Sequence, residues 1–421
     1  MADEKKKAQD QALFTGEFIR VLFVHFLAMG SVGIYFFLPR FIRLTGGGEF
    51  LIGLIMGAPA LTAVIFRLQT GSWVDRFGRK RLVILGLVFS SLASALPVFA
   101  SGAGVYLLCA RAIAGAAIVV YFTAVVTYVA EKAPDERRAE AIAIYGAGGF
   151  MALAISPYLC ECLLEVLPLE PVNRFRFLFI LAAVSCVLAL VLSLRLSEDE
   201  PHEEQHLPPD PWHRVLRSPT MLYVVIPSLV FGAGHTSMFS FITDFTQVEG
   251  LGSPSSFFVS YSITVIALRV TTGRLLDRID RRLAVTASLG AIAAGLFYAS
   301  FSSGWADLVV VGILTGAGHG YIFPSLSTLT YESSQARNRG TSMALYMLGF
   351  DLSMMFVSPL LGSFAQMQDY FAMFRLTGVF LVVGLLLYLT GWRFHAPAAV
   401  LRSARGPDDA ERFYKNAGAL E

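Results

Sequence analysis

Hydrophobic and polar positions along this chain separate into long blocks. Charged residues gather in seven segments, 1–20, 71–81, 131–140, 195–217, 274–282, 332–339 and 393–421, with apolar stretches of about 50 residues between them. A helix crosses a bilayer with about 20 apolar residues. Each stretch therefore has room for two helices and a tight turn, and six stretches predict twelve spans. These fall near 17–42, 50–70, 82–101, 105–130, 138–165, 175–196, 219–246, 256–272, 283–303, 305–331, 340–366 and 371–393. The runs are too long and too evenly apolar for barrel strands, whose side chains alternate every second residue. The expected fold class is an all-α membrane protein.

Composition agrees and removes alternatives. Hydrophobic residues make up 55% and charged residues 15% of the 421, with mean hydropathy +0.61. A soluble domain carries about 25% charged residues, and disordered chains have low hydrophobicity. Thirty-three basic against 31 acidic residues leave a net charge of +2, which lacks the basic excess of a nucleic-acid binder. No phosphate-binding Gly-x-x-x-x-Gly-Lys-Ser/Thr loop occurs, and the polar segments are too short for a catalytic domain. An enzyme is not expected, nor a cofactor.

Charge also orients the chain. The seven segments hold 25 of the 33 Lys and Arg, whereas the alternate connections hold Arg40, Arg43, Arg174, Arg176 and Arg375. Basic residues collect on the cytoplasmic side, so the charged segments and both termini are expected there. The opening MADEKKKAQDQ lacks the apolar core and cleavage site of a secretory signal. Cys109, Cys160, Cys162 and Cys186 all fall in apolar spans and read as small core residues.

The second charged segment, GSWVDRFGRKR from Gly71, reappears as GRLLDRIDRRL from Gly273, 202 residues later. That offset pairs Arg67 with Arg269, Asp75 with Asp277, Arg76 with Arg278, Arg79 with Arg281, Arg137 with Arg339 and Pro157 with Pro359. The chain thus divides into a terminus (1–16), a six-helix half (17–197), an acidic, Pro-rich linker (198–217), a second half (218–395) and a tail (396–421).

The loop GSWVDRFGRKR resembles the signature between helices 2 and 3 of the major facilitator superfamily, roughly Gly-x-x-x-Asp-Arg-x-Gly-Arg-Arg/Lys. Gly71, Asp75, Arg76, Gly78, Arg79 and Lys80 match it; the second copy keeps Gly273, Asp277, Arg278, Arg281 and Arg282, with Asp280 for the second glycine. The resemblance covers about residues 15–395 and points to the twelve-helix bacterial drug and metabolite efflux branch. It implies an inner-membrane transporter whose two halves are latched by these loops on the cytoplasmic face. Asp75 is expected near Arg339, and Glu131, Asp135 and Glu136 are expected partners for the loop arginines. Arg67 and Arg269, each four residues before a loop glycine, read as gate residues one turn inside that face.

Arg111, followed by Gly115, resembles an arginine of efflux members thought to aid proton release; the alternative is a structural arginine reaching the outer interface. Helix 5 resembles the antiporter motif ending Gly-Pro-x-x-Gly-Gly. Here Ser156-Pro157 and Cys160-Glu161 replace its key residues, so the motif does not establish antiport.

Ionisable groups inside a membrane are costly and tend to be functional. Asp351 is the one clear mid-depth carboxylate and the first choice for a proton-carrying residue, with His319 and Arg111 as further candidates. Candidate substrate contacts are His25, Tyr35, Tyr121, Tyr145, His235, Met238, Tyr321, Met343, Tyr346 and Met347. The pairs Met343/Met347 and His235/Met238 share helix faces and could hold a soft metal, as could His202, His206 and His213 in the linker; packing and a solvated linker are the preferred readings, so no metal is expected. The leading expectation is a monomeric, proton-coupled exporter of a small amphipathic organic molecule in contact with lipid. Import of a polar metabolite, a metal or a metal chelate is the alternative.

Overall fold

The computed structural model describes residues 13–134, 137–197, 210–276, 280–332, 334–335 and 338–395. Twelve long helices follow one another among them: α1 (Gly16–Leu44, with a 3-10 turn at Tyr35–Phe37), α2 (Glu49–Phe77), α3 (Arg79–Ala95), α4 (Val105–Lys132), α5 (Arg138–Val166), α6 (Pro171–Ser193), α7 (Pro219–Val248), α8 (Ser255–Leu276), α9 (Arg281–Ala299), α10 (Trp305–Glu332), α11 (Arg339–Met367) and α12 (Tyr370–His395). Eleven are long and apolar enough to cross a membrane, and α8 carries a shorter apolar stretch, Ser255–Thr271, among the described residues. Each expected span finds its helix.

Local chemistry sets the helix ends. The Thr15 hydroxyl accepts from Phe18 N at 3.1 Å and starts α1, and Ser218 does the same for Met221 N at 3.2 Å before α7. Pro171 and Pro219 occupy first helical positions, where their missing N–H costs nothing. Gly78, at φ +86°, is the joint between α2 and α3, a conformation that excludes most side chains.

The helices form two six-helix halves, α1–α6 and α7–α12. The helix bounds refine the repeat: α5 and α11 start at Arg138 and Arg339, one residue closer together than the loop copies, so Arg137 is not the counterpart of Arg339. Large apolar side chains such as Phe89, Val191, Leu386 and Leu387 are exposed on the outside, the surface a helical bundle offers to lipid. Cys109 is exposed there too, which corrects its expected place in the core; Cys160 and Cys186 are buried.

Toward the face opposite the charged loops, the halves share one apolar core. It includes Phe37, Phe41, Ile52 and Phe179 from the first half and Phe241, Phe245, Tyr370 and Phe374 from the second. Toward the charged-loop face the first half keeps a separate core around Val24, Leu87, Tyr128 and Val129. The molecule is therefore closed on the opposite face. α2 and α11 meet there almost backbone to backbone: a Cβ at Gly53 would overlap the Ser358 carbonyl, and one at Gly362 the Glu49 carbonyl. Small residues permit such close approach between membrane helices.

Candidate functional site

The α2–α11 seam carries an ion pair at mid-depth. Arg67 donates from Nε to Asp351 Oδ2 at 2.7 Å and from Nη2 to Oδ1 at 2.9 Å, and its Nη1 lies 3.7 Å from Met347 Sδ. The two side chains are 15% and 7% exposed. Two parallel bonds of this kind fix direction as well as charge. Arg67 is thus not one turn inside the loop face. α2 continues to Phe77, ten residues further, which at 1.5 Å per residue places Arg67 about 15 Å from the helix end. Met343 lies on the same stretch of α11, half-buried.

The α5–α8 seam is its counterpart in the repeat. Arg269 stands where Arg67 stands, but faces the Phe150 ring, with its guanidinium carbon 4.8 Å from the ring centroid. Its Nη1 lies beside Gly146, as that of Arg67 lies beside Met347. Phe150 opens onto an aromatic cluster. His319 lies edge-on to Phe150 at 5.6 Å and to Phe231 at 5.0 Å, its Nδ1 hydrogen-bonds the Tyr261 hydroxyl, and His235 stacks on Phe239 at 4.1 Å. His235 and His319 are 5.5 Å apart, centroid to centroid.

The remaining candidates disperse. His25 is buried in the first half, stacked 3.8 Å from Tyr145 and hydrogen-bonded through Nδ1 to the Tyr121 hydroxyl at 3.4 Å. Arg111 lies 5.5 Å from the Tyr35 ring, whose hydroxyl donates to Ser94 O at 3.0 Å; the buried Nε of Arg111 has no acceptor among the described residues. Met238 and Tyr346 are buried in the second half, and Tyr321 is half-buried on α10. Among the described residues, no three His, Cys, Asp or Glu side chains converge as metal ligands. His202 and His206 lie outside the described residues.

The signature loops brace each half internally. Arg79, at the start of α3, donates to Glu131 Oε1 at the end of α4, at 2.7 and 3.1 Å. Arg281 repeats this toward Glu332 at 3.2 Å. Both described pairs stay inside their own half, because the first turn of α3 or α9 lies beside the last turn of α4 or α10. Gly71 and Gly273 lie within α2 and α8, Arg76 projects near the Phe77 ring at 5.5 Å, and Lys80 is half-buried. Asp277, Arg278, Asp135, Glu136 and the side chain of Asp75 lie outside the described residues.

A second polar seam, on the opposite face, escaped the sequence reading. Arg43 of α1 grips Asp244 of α7 through Nε at 2.8 and 3.0 Å and Nη2 at 2.6 Å, and also donates to Glu49 at 2.7 Å. The Tyr370 hydroxyl donates to the same fully buried Asp244. Arg40 donates to Thr243 O at 2.9 Å, Thr243 to Phe36 O at 2.7 Å, and Ser253 to Glu161 Oε2 at 2.7 Å. The signal was present: Arg40 and Arg43 are the stray basic residues of the charge-poor side, and Asp244 interrupts an apolar span. Arg40, Glu161, Glu165 and Arg174 line a cavity of about 590 Å³ on this face.

Comparison with known proteins agrees with this architecture. The Major Facilitator Superfamily profile matches residues 21–263 and 255–415. The staphylopine export protein of Staphylococcus aureus (strain Mu50 / ATCC 700699) is 20% identical over 356 residues, covering 81% of this chain and 87% of that protein. Multidrug resistance protein 2 of Bacillus subtilis (strain 168) is 23% identical over 343 residues, covering 80% and 84%. Among solved structures, the nucleoside transporter NupG superposes with a TM-score of 0.74 at 13% identity, over 90% of this chain and all of that one, and a POT peptide transporter with 0.73 at 16%, over 90% and 95%. Twelve helices in two repeated halves, the signature loops and a profile match along nearly the whole length lead to one assignment: the chain belongs to the Major Facilitator Superfamily of membrane transporters.

Proposed function

We propose that this transporter exports a small amphipathic organic molecule in exchange for protons, by alternating access, from the cytoplasm across a bacterial plasma membrane. The Arg67–Asp351 pair carries the reading. It joins one half to the other at mid-depth, where secondary transporters place their coupling sites. A proton on Asp351 removes one of the two charges and weakens the bond between the halves; loss of that proton restores it. Protonation is thereby tied to the movement that exposes the site to one side and then the other.

Direction rests on the relatives, two of which are named for export or multidrug resistance. Orientation rests on the basic residues of the loops, which makes the closed face external and the described state inward-facing. Both halves lie in one chain, so the working unit is a monomer surrounded by lipid. The half-buried aromatic and methionine side chains along the seams suit an amphipathic cargo.

Purified protein in liposomes with an imposed pH gradient, tested against a panel of amphipathic compounds, checks the proposal. Uptake of at least one compound into vesicles should follow the gradient and vanish when it is collapsed. Transport indifferent to the gradient would remove proton coupling, and accumulation only in the opposite direction would reverse the assignment of export.

A further inference from the structure

The repeat gives both halves an arginine at the same place, yet among the described residues only Arg67 has a carboxylate to meet. α11 offers Asp351 to Arg67, while α5 offers Phe150 to Arg269. The groups around Arg269 are neutral in kind: Gly146 and Phe150 on α5, Tyr261 on its own helix, His319 on α10 and Tyr346 on α11. Its Nε–H is shut off from solvent and has no acceptor among the described residues. Asp351, on the α2–α11 seam, is already held by both arms of Arg67.

A half-buried arginine inside a membrane span with no counter-ion among the described residues is costly, and an aromatic face offsets only part of that cost. The arrangement is stable at rest and improves when an anion arrives. We propose that Arg269 is the docking point for the carboxylate of a transported organic anion, whose apolar body lies against Phe150, Phe231 and the paired rings of His235 and His319. This deepens the transporter reading and rests on it. The substrate's carboxylate would do for the second half what Asp351 does for the first, so that a loaded carrier has both cross-half seams charge-paired. Arginine suits the task because its planar fork takes a carboxylate with two bonds.

The full-length chain in lipid nanodiscs tests this, with 1-naphthoate and its neutral analogue 1-naphthamide as probes in calorimetry. The acid should bind about tenfold tighter than the amide, the scale of one charge-assisted contact. Arg269→Gln should erase that preference. Phe150→Asp, which supplies a carboxylate from α5 and leaves the arginine in place, should abolish naphthoate binding, and it serves even where Arg269→Gln does not fold. Equal affinity for acid and amide, no binding of either, or an acid preference that survives both substitutions overturns the inference. pH-driven transport that persists unchanged in Arg269→Gln overturns it while leaving the transporter reading intact; an acid preference with no transport of any compound overturns the transporter reading alone.

Discussion

Arg67 and Asp351 lie 284 residues apart in the chain and are joined by two parallel hydrogen bonds, one arm from each half of the molecule. Removing one partner of such a buried pair strands the other charge, at a cost of about 3–5 kcal/mol, whereas replacing both with apolar residues is often neutral. Asp351→Asn should therefore lower thermal stability and stop pH-driven transport while substrate binding, measured separately, persists. Arg67→Met combined with Asp351→Leu should regain the stability and still fail to couple. Gradient-driven transport in the double variant would show that the pair is only a brace.

The opposite-face seam predicts a different phenotype. Asp244 is fully buried and gathers Arg43 and the Tyr370 hydroxyl. Asp244→Asn weakens this lock without touching the mid-depth pair. The face opposite the charged loops should open more often, so Ser240→Cys, one turn deeper on α7, should react several-fold faster with a membrane-impermeant maleimide in a background lacking the four native cysteines. An unchanged labelling rate would mean that the shared apolar core, not Asp244, keeps this face shut.

These two seams also mark where sequence reading stops. The twelve helices were legible because about 20 consecutive apolar residues is a strong signal that tertiary packing does not override. Asp351 was legible for the same reason, as a charge in an apolar run. Its partner was not. The apolar run of α2 fades near residue 70, but the helix itself continues through Val74 and Arg76 to Phe77, and those extra turns carry Arg67 to the depth of Asp351. The contrast between Asp351 and Phe150 stayed hidden because the repeat slips by one residue between the loops and α5/α11, a shift visible only in helix bounds. The Asp244 lock needs three segments far apart in sequence, Arg43, Asp244 and Tyr370, and no spacing rule joins them.

The loop arginines should differ in weight. Arg79 is buried and reaches Glu131 at 2.7 and 3.1 Å, while Arg281 meets Glu332 at 3.2 Å in a more exposed setting. Exposed ion pairs contribute about 0–1 kcal/mol, and burial raises the stake. Arg79→Ala should depress the unfolding temperature clearly more than Arg281→Ala. The reverse order, read by thermal denaturation in detergent, would place the stabilising contact of these loops elsewhere than in the Glu131 and Glu332 pairs.

The glycine seam offers the most direct test of which face moves. Gly53 and Gly57 of α2 lie against Ser358 and Met354 of α11, and Gly362 lies against Glu49, leaving no room for a side chain. In Gly53→Leu a bulky group must enter that space. The two helices can then no longer meet at the end opposite the charged loops, although each remains a sound helix, since leucine forms helix better than glycine by about 0.5–1 kcal/mol. The expected result is a folded protein displaced toward a state open on the face opposite the charged loops, with longer distances between spin labels placed at those ends of α2 and α11 and with transport lost. Gly71→Leu, at the loop end of α2 where nothing lies within 4 Å of an added Cβ, should leave those distances unchanged. If Gly53→Leu kept these ends together, α2 and α11 would have to slide rather than separate, and the glycines would serve the sliding.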